Sequence, residues 1–142
     1  MSAESLRLRA LAAALTLLSG AVMVLAGHIG NTGSWTTAGF ITIPGGVVIL
    51  AAFAVARRAD RADGQTVAPS GSHRRGRAAA MGATLLSGGV MVFAGYAGSA
   101  WGWGLAVPLV TVGGLVIGAA FVFDRRGTHR LISDSAEQLL SD

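Results

Sequence analysis

The sequence predicts an all-α integral membrane protein, with four transmembrane helices forming two tandem parallel-repeat helical hairpins, N-in/C-in. Three observations carry this expectation. Two long blocks, Ala10 to Ala56 and Ala78 to Phe123, contain no Asp, Glu, Lys or Arg. All eleven basic residues are arginines, and every one lies outside those blocks. Slid against itself by 68 positions, the sequence matches without a gap.

The blocks set the number of helices. A water-facing helix carries charge on one side every few residues, so 47 and 46 consecutive uncharged residues exclude an ordinary soluble domain. A hydrocarbon core of ~30 Å takes about 20 helical residues at ~1.5 Å each. Each block is therefore long enough for two spans and a short turn. The other way across a bilayer, a β-barrel, alternates apolar and polar residues. The run Val47-Val48-Ile49-Leu50-Ala51-Ala52-Phe53 does not alternate. Spans are expected near 9–28, 37–56, 78–97 and 104–123.

The arginines set the expected topology. Arg7 and Arg9 precede the first block, and Arg57, Arg58, Arg61, Arg74, Arg75 and Arg77 lie between the blocks. Arg125, Arg126 and Arg130 follow the second, and the turns inside the blocks hold none. By the positive-inside rule, both termini and the central segment belong in the cytoplasm of a multi-pass cell-membrane protein. Asp124-Arg125-Arg126 reads as a helix end meeting anionic headgroups. The same placement argues against a nucleic-acid partner, which a net charge of +4 would otherwise suggest. All-arginine, alanine- and glycine-rich usage looks like a high-GC bacterium, hence a bacterial inner membrane. Arg7 and Arg9, followed by an apolar run and Ser19-Gly20-Ala21, imitate a signal peptide. The pattern recurs from Arg77 to Gly95, so the first span is read as a retained helix.

The internal match sets the expected architecture. Thr16 to Gly27 overlays Thr84 to Gly95, Trp35 meets Trp103, and Gly45-Gly46 meets Gly113-Gly114. Ala51-Ala52-Phe53 meets Ala119-Ala120-Phe121, and Arg57-Arg58 meets Arg125-Arg126. From 9 to 58, 25 of 50 positions are identical. Composition bias does not align charged ends, a tryptophan and paired glycines without a gap. Two spans per unit make both copies enter from one side, so the hairpins, 9–58 and 77–126, are parallel repeats about an axis along the membrane normal. Residues 1–8 form a cytosolic N-terminus. Residues 59–76, polar and rich in Gly, Ser, Pro and Arg, read as a flexible cytosolic linker. In the cytosolic tail, 127–142, Ser133 or Asp134 is placed to cap a short helix with Leu131, Ile132, Leu139 and Leu140 on its apolar side.

Little of this carries chemistry. No Asp, Glu, Lys or Arg lies within the expected bilayer, and such residues are the usual mark of ion coupling or catalysis there. There is no cysteine for thiol chemistry or thiolate metal sites. His28 is the one histidine in the apolar blocks, and its repeat mate is Tyr96. An interface role suits both residues, and an equivalent chemical role does not. Trp35, Trp101 and Trp103, with His28 and Tyr96, read as an outer aromatic belt, or as the lip of an outer binding site. No catalytic residue, cofactor or metal site is expected.

The small residues say more. Thr16, Ser19, Gly20, Met23, Gly27 and Gly30 fall on one helical face, repeated as Thr84, Ser87, Gly88, Met91, Gly95 and Gly98. Gly114 and Gly118 form a G-x-x-x-G, where the first copy has Gly46 and Leu50. Such faces let backbones approach closely, inside one bundle or between subunits. Pro44 and Pro108 fall within the second and fourth spans and are expected to weaken them locally. The expected function is a non-enzymatic membrane protein: an accessory or assembly subunit, or a small homo-oligomer. Its partners are the lipid bilayer and either its own copies or another membrane protein. The alternative is a small transporter or channel for a neutral or apolar solute, with Thr16, Thr84, Ser19 and Ser87 facing one cavity between the repeats.

Overall fold

The computed structural model describes residues 2–64 and 72–141, and side chains among them except those of 72–75, 77 and 124–139. They form four helices: α1 (Ala3–Thr32), α2 (Trp35–Ala62), α3 (Ser72–Trp101) and α4 (Trp103–Ser141). All four are long and apolar enough to cross a membrane, over Ala3–Thr32, Trp35–Ala62, Ala78–Trp101 and Trp103–Phe123. The chain is thus an all-helical, multi-pass membrane protein.

Local chemistry sets the ends. Ser2 caps α1, its side chain accepting from the Ser5 N–H at 3.1 Å, with Glu4 in the first turn. At the far end the Gly33 N–H reaches the Ile29 carbonyl at 2.8 Å, and Ser34 caps α2 by accepting from the Thr36 N–H at 3.2 Å. The turn from α3 to α4 is a single residue, Gly102, whose φ of +109° is one that L side chains rarely adopt. α2 stops at Asp63 and Gly64, the latter at φ +79°. Pro44 and Pro108 lie within α2 and α4, freeing the Phe40 and Gly104 carbonyls from their usual helical donors.

The helices overrun the spans expected from bilayer thickness, because their caps lie beyond the apolar stretch. Residues 59–76 are helical at both margins, with α2 continuing to Ala62 and α3 starting at Ser72; residues 65–71 lie outside the described residues. The tail is not a separate short helix from Ser133. It continues α4 unbroken to Ser141. Between the apolar stretch and Ser133, over 124–132, the one helix breaker in the sequence is Gly127, and one glycine costs about 1 kcal/mol against alanine, too little to end a long helix.

Packing is the reverse of a soluble core. Buried apolar positions are nearly all alanine, including Ala12, Ala26, Ala52, Ala94 and Ala120, whereas Leu17, Leu85 and Leu115 are 70% exposed or more. Lipid tails are as apolar as leucine, so burying leucine gains little in a bilayer. Close backbone contact between small residues does the holding instead. α1 packs on α2, α3 packs on α4, and α1 packs on α3, so α1 and α3 form the middle of the bundle.

Candidate functional site

The centre is a seam between α1 and α3, which run in the same direction. Where they cross, a Cβ on Gly27 would land on the Val92 carbonyl, and a Cβ on Gly95 on the Val24 carbonyl. No side chain larger than hydrogen fits at either position. Beyond the crossing, Gly30 and Gly98 sit beneath the Trp35 and Trp103 indoles, where an added Cβ would lie 2.7 Å from a ring carbon in each case. These glycines are spent inside the chain.

Each hairpin is tied by a serine. Ser19 donates to the Gly45 carbonyl and Ser87 to the Gly113 carbonyl, both at 2.8 Å and both buried. Met23 and Met91 lay their methyls over the same two glycines, at 3.0 and 2.9 Å from a notional Cβ. Thr16 and Thr84 bond back to Ala12 and Ala80 within their own helices, at 2.8 and 2.7 Å. Every one of these contacts recurs 68 residues on.

Away from the crossing, toward the Arg9 end, the helices leave a pocket of about 50 Å³. Thr16, Ser19, Gly20 and Met23 line it with Thr84, Ser87, Gly88 and Met91, and Ile49 and Ile117 complete the wall. It has room for a water or two. All four hydroxyl hydrogens are already donated to backbone carbonyls, so the pocket presents acceptor oxygens and methyl groups. Phe53 and Phe121 stack, with ring centres 4.4 Å apart, and link α2 to α4.

The aromatic belt divides unequally. On one side Tyr96 sits among Trp35, Phe93 and Trp101 at centroid distances of 5.9, 6.3 and 5.8 Å. On the other, His28 faces Trp103 at 5.8 Å, and its Nδ1 is buried without a hydrogen-bond partner among the described residues. Gly114 and Gly118 are exposed, with nothing within 4 Å of a notional Cβ, and line the space between α4 and α1.

Sequence reading missed three parts of this arrangement. The Gly45 and Gly113 carbonyls act as acceptors, and only their matched positions hinted at a role. Phe53 and Phe121 were visible as a matched pair but not as neighbours. The third part is a polar clasp at the helix ends. Arg9 donates to Asp63 at 2.9 Å and lies 3.5 Å from Asp60, and the Ser2 N–H reaches Asp63 at 3.3 Å. The Ser5 hydroxyl, the Ser2 N–H and Arg9 together hold the Asp63 carboxyl below its ordinary 3.8. The equivalent positions in the second half are Thr128 and Leu131, so the sequence does not repeat this clasp.

Compared with known proteins, the chain matches no family model, no curated protein and no solved structure.

Proposed function

We propose that this is a non-enzymatic protein of a bacterial inner membrane, an accessory or assembly subunit or a small homo-oligomer. In this reading its hairpins are tandem parallel repeats about an axis along the membrane normal. The recurrence of seam, serine ties and pocket walls 68 residues apart supports that symmetry. The arginine-bearing ends, including both termini, face the cytoplasm.

One observation carries the assembly role: small residues are left over after the bundle has closed. Gly39, Gly82, Gly89, Gly114 and Gly118 are exposed and meet nothing where a side chain would begin. Open glycines on a lipid-facing helix let another backbone approach closely. The test is the mass of the complex extracted from native membranes in mild detergent. A species larger than one chain, reduced by Gly82→Leu with Gly89→Leu, is expected. A bare monomer in both proteins would contradict the role.

A second reading, a small transporter or channel for a neutral or apolar solute, rests on the shared pocket. Thr16, Thr84, Ser19 and Ser87 all line it. Solute flux into vesicles should fall when all four are replaced with valine, and unchanged flux would remove this reading.

A further inference from the structure

The pocket between the hairpins differs at its two ends. On the hairpin-turn side, Gly27 and Gly95 bring the α1 and α3 backbones together at the Val92 and Val24 carbonyls. On the other side a cleft runs from Arg9 past Ala12 and Ala13 to Thr16 and Ile117, which belong to the pocket wall. Gly20 and Gly88 leave the room. A Cβ on Gly20 would meet the Met91 methyl at 3.9 Å, and one on Gly88 nothing within 4 Å.

The walls select what enters. Thr16, Ser19, Thr84 and Ser87 donate their hydroxyl hydrogens to the Ala12, Gly45, Ala80 and Gly113 carbonyls, each at 2.7 or 2.8 Å. A hydroxyl that has donated its hydrogen still offers lone pairs, and the Met23 and Met91 sulfurs only accept. The pocket therefore takes a hydrogen-bond donor. An anion or a carbonyl compound would set acceptor against acceptor. A cation would find neither Asp nor Glu in the wall to offset its loss of hydration. At about 50 Å³ there is space for one or two waters, each occupying ~30 Å³ in the liquid. Purely apolar cavities stay dry, whereas a roomy site with several polar partners holds water. This one offers the oxygens of four hydroxyls.

We propose that the pocket is a hydration site: one or two waters, entering from the Arg9 side, donate to hydroxyl oxygens of both hairpins. A water bridging two polar groups is nearly as good as a direct hydrogen bond. The waters thus join α1 to α3 where the helices have parted below the glycine crossing. The site depends on neither the assembly role nor solute transport.

The test is X-ray radiolysis of the full chain in phosphatidylcholine vesicles, which forms hydroxyl radicals at bound waters and oxidises the methionines beside them. Oxidation is read by mass spectrometry. Met23 and Met91 are both expected to be oxidised, although Met91 is buried. Gly20→Ala with Gly88→Ala fills the pocket without a clash and should abolish the oxidation. Thr16→Val with Thr84→Val keeps the bulk and removes two oxygens, and should lower oxidation about threefold or more, the worth of one hydrogen bond in a bilayer. Both pairs leave the serine ties in place, and a loosened bundle would be oxidised more, not less. Native protein left unoxidised at Met23 and Met91, or oxidation unchanged in either pair, would overturn the site.

Discussion

The seam between α1 and α3 and the gap between α2 and α4 are made from similar sequence, yet they behave oppositely. At the seam, Gly27 and Gly95 bring two backbones into direct contact. Between α2 and α4 the link that stands out is the Phe53–Phe121 stack, and Gly46 and Gly114 have nothing within 4 Å of a notional Cβ. Glycine content does not separate these regions. What separates them is whether each glycine faces a partner's backbone. In a bilayer, where apolar surface gains little by leaving lipid, this fit decides which helices join.

The largest way to break the contrast is at the crossing. Gly27→Ile or Gly95→Ile forces a side chain onto a carbonyl that belongs to a rigid helix. Destabilisation at or above the ~3 kcal/mol upper range of over-packing is expected in steric-trap or denaturant unfolding. Gly114→Ile, chemically the same change, should stay within ~0.5 kcal/mol because it points into open space. Equal losses at the two sites would erase the distinction.

The serine ties come next. Ser19→Ala and Ser87→Ala each remove one buried bond, and bonds of this kind in membrane proteins average ~0.6 kcal/mol with a ceiling near 1.7. The matched geometry predicts similar losses for the two variants. A large loss for one and none for the other would show that the hairpins are tied differently.

The smallest effect sharpens the contrast between the halves. Arg9→Gln should cost little, since it keeps a hydrogen-bond donor and the pairs with Asp60 and Asp63 are only part-buried at the helix ends. Its pH dependence is more telling. Asp63 is held below 3.8 by the Ser5 hydroxyl, the Ser2 N–H and Arg9, so its contribution is complete above that pH. It is lost as pH falls through the lower value of the folded state. Asp63→Asn should remove this acid-dependent component, measured as the difference in unfolding between neutral pH and pH below 3.8. An unchanged acid response would place it elsewhere.

Much of the fold was legible because charge cannot be hidden in a bilayer. Two uncharged blocks sized for two spans each foretell four apolar helices, and four are found. The faces bearing Gly27 and Gly95 could also be drawn from spacing. Which faces would meet could not, because a small-residue stripe fits a neighbour in the same chain as well as one in another. The clasp at Arg9 was hidden in a segment whose composition reads as linker, since a helix carried on to Ala62 is what brings Asp60 and Asp63 within reach.

The central claim is that α1 and α3 of one chain join through their glycine faces. Gly20 and Met91 face each other across this seam, with a notional Cβ on Gly20 3.9 Å from the Met91 methyl. Because the chain has no cysteine, a Gly20→Cys, Met91→Cys variant can be bridged in native membranes by a short bifunctional thiol reagent without background. The account predicts a bridge within single chains, recovered at monomer mass and lost when Gly27→Ile is added. Bridges found only between two chains would contradict it.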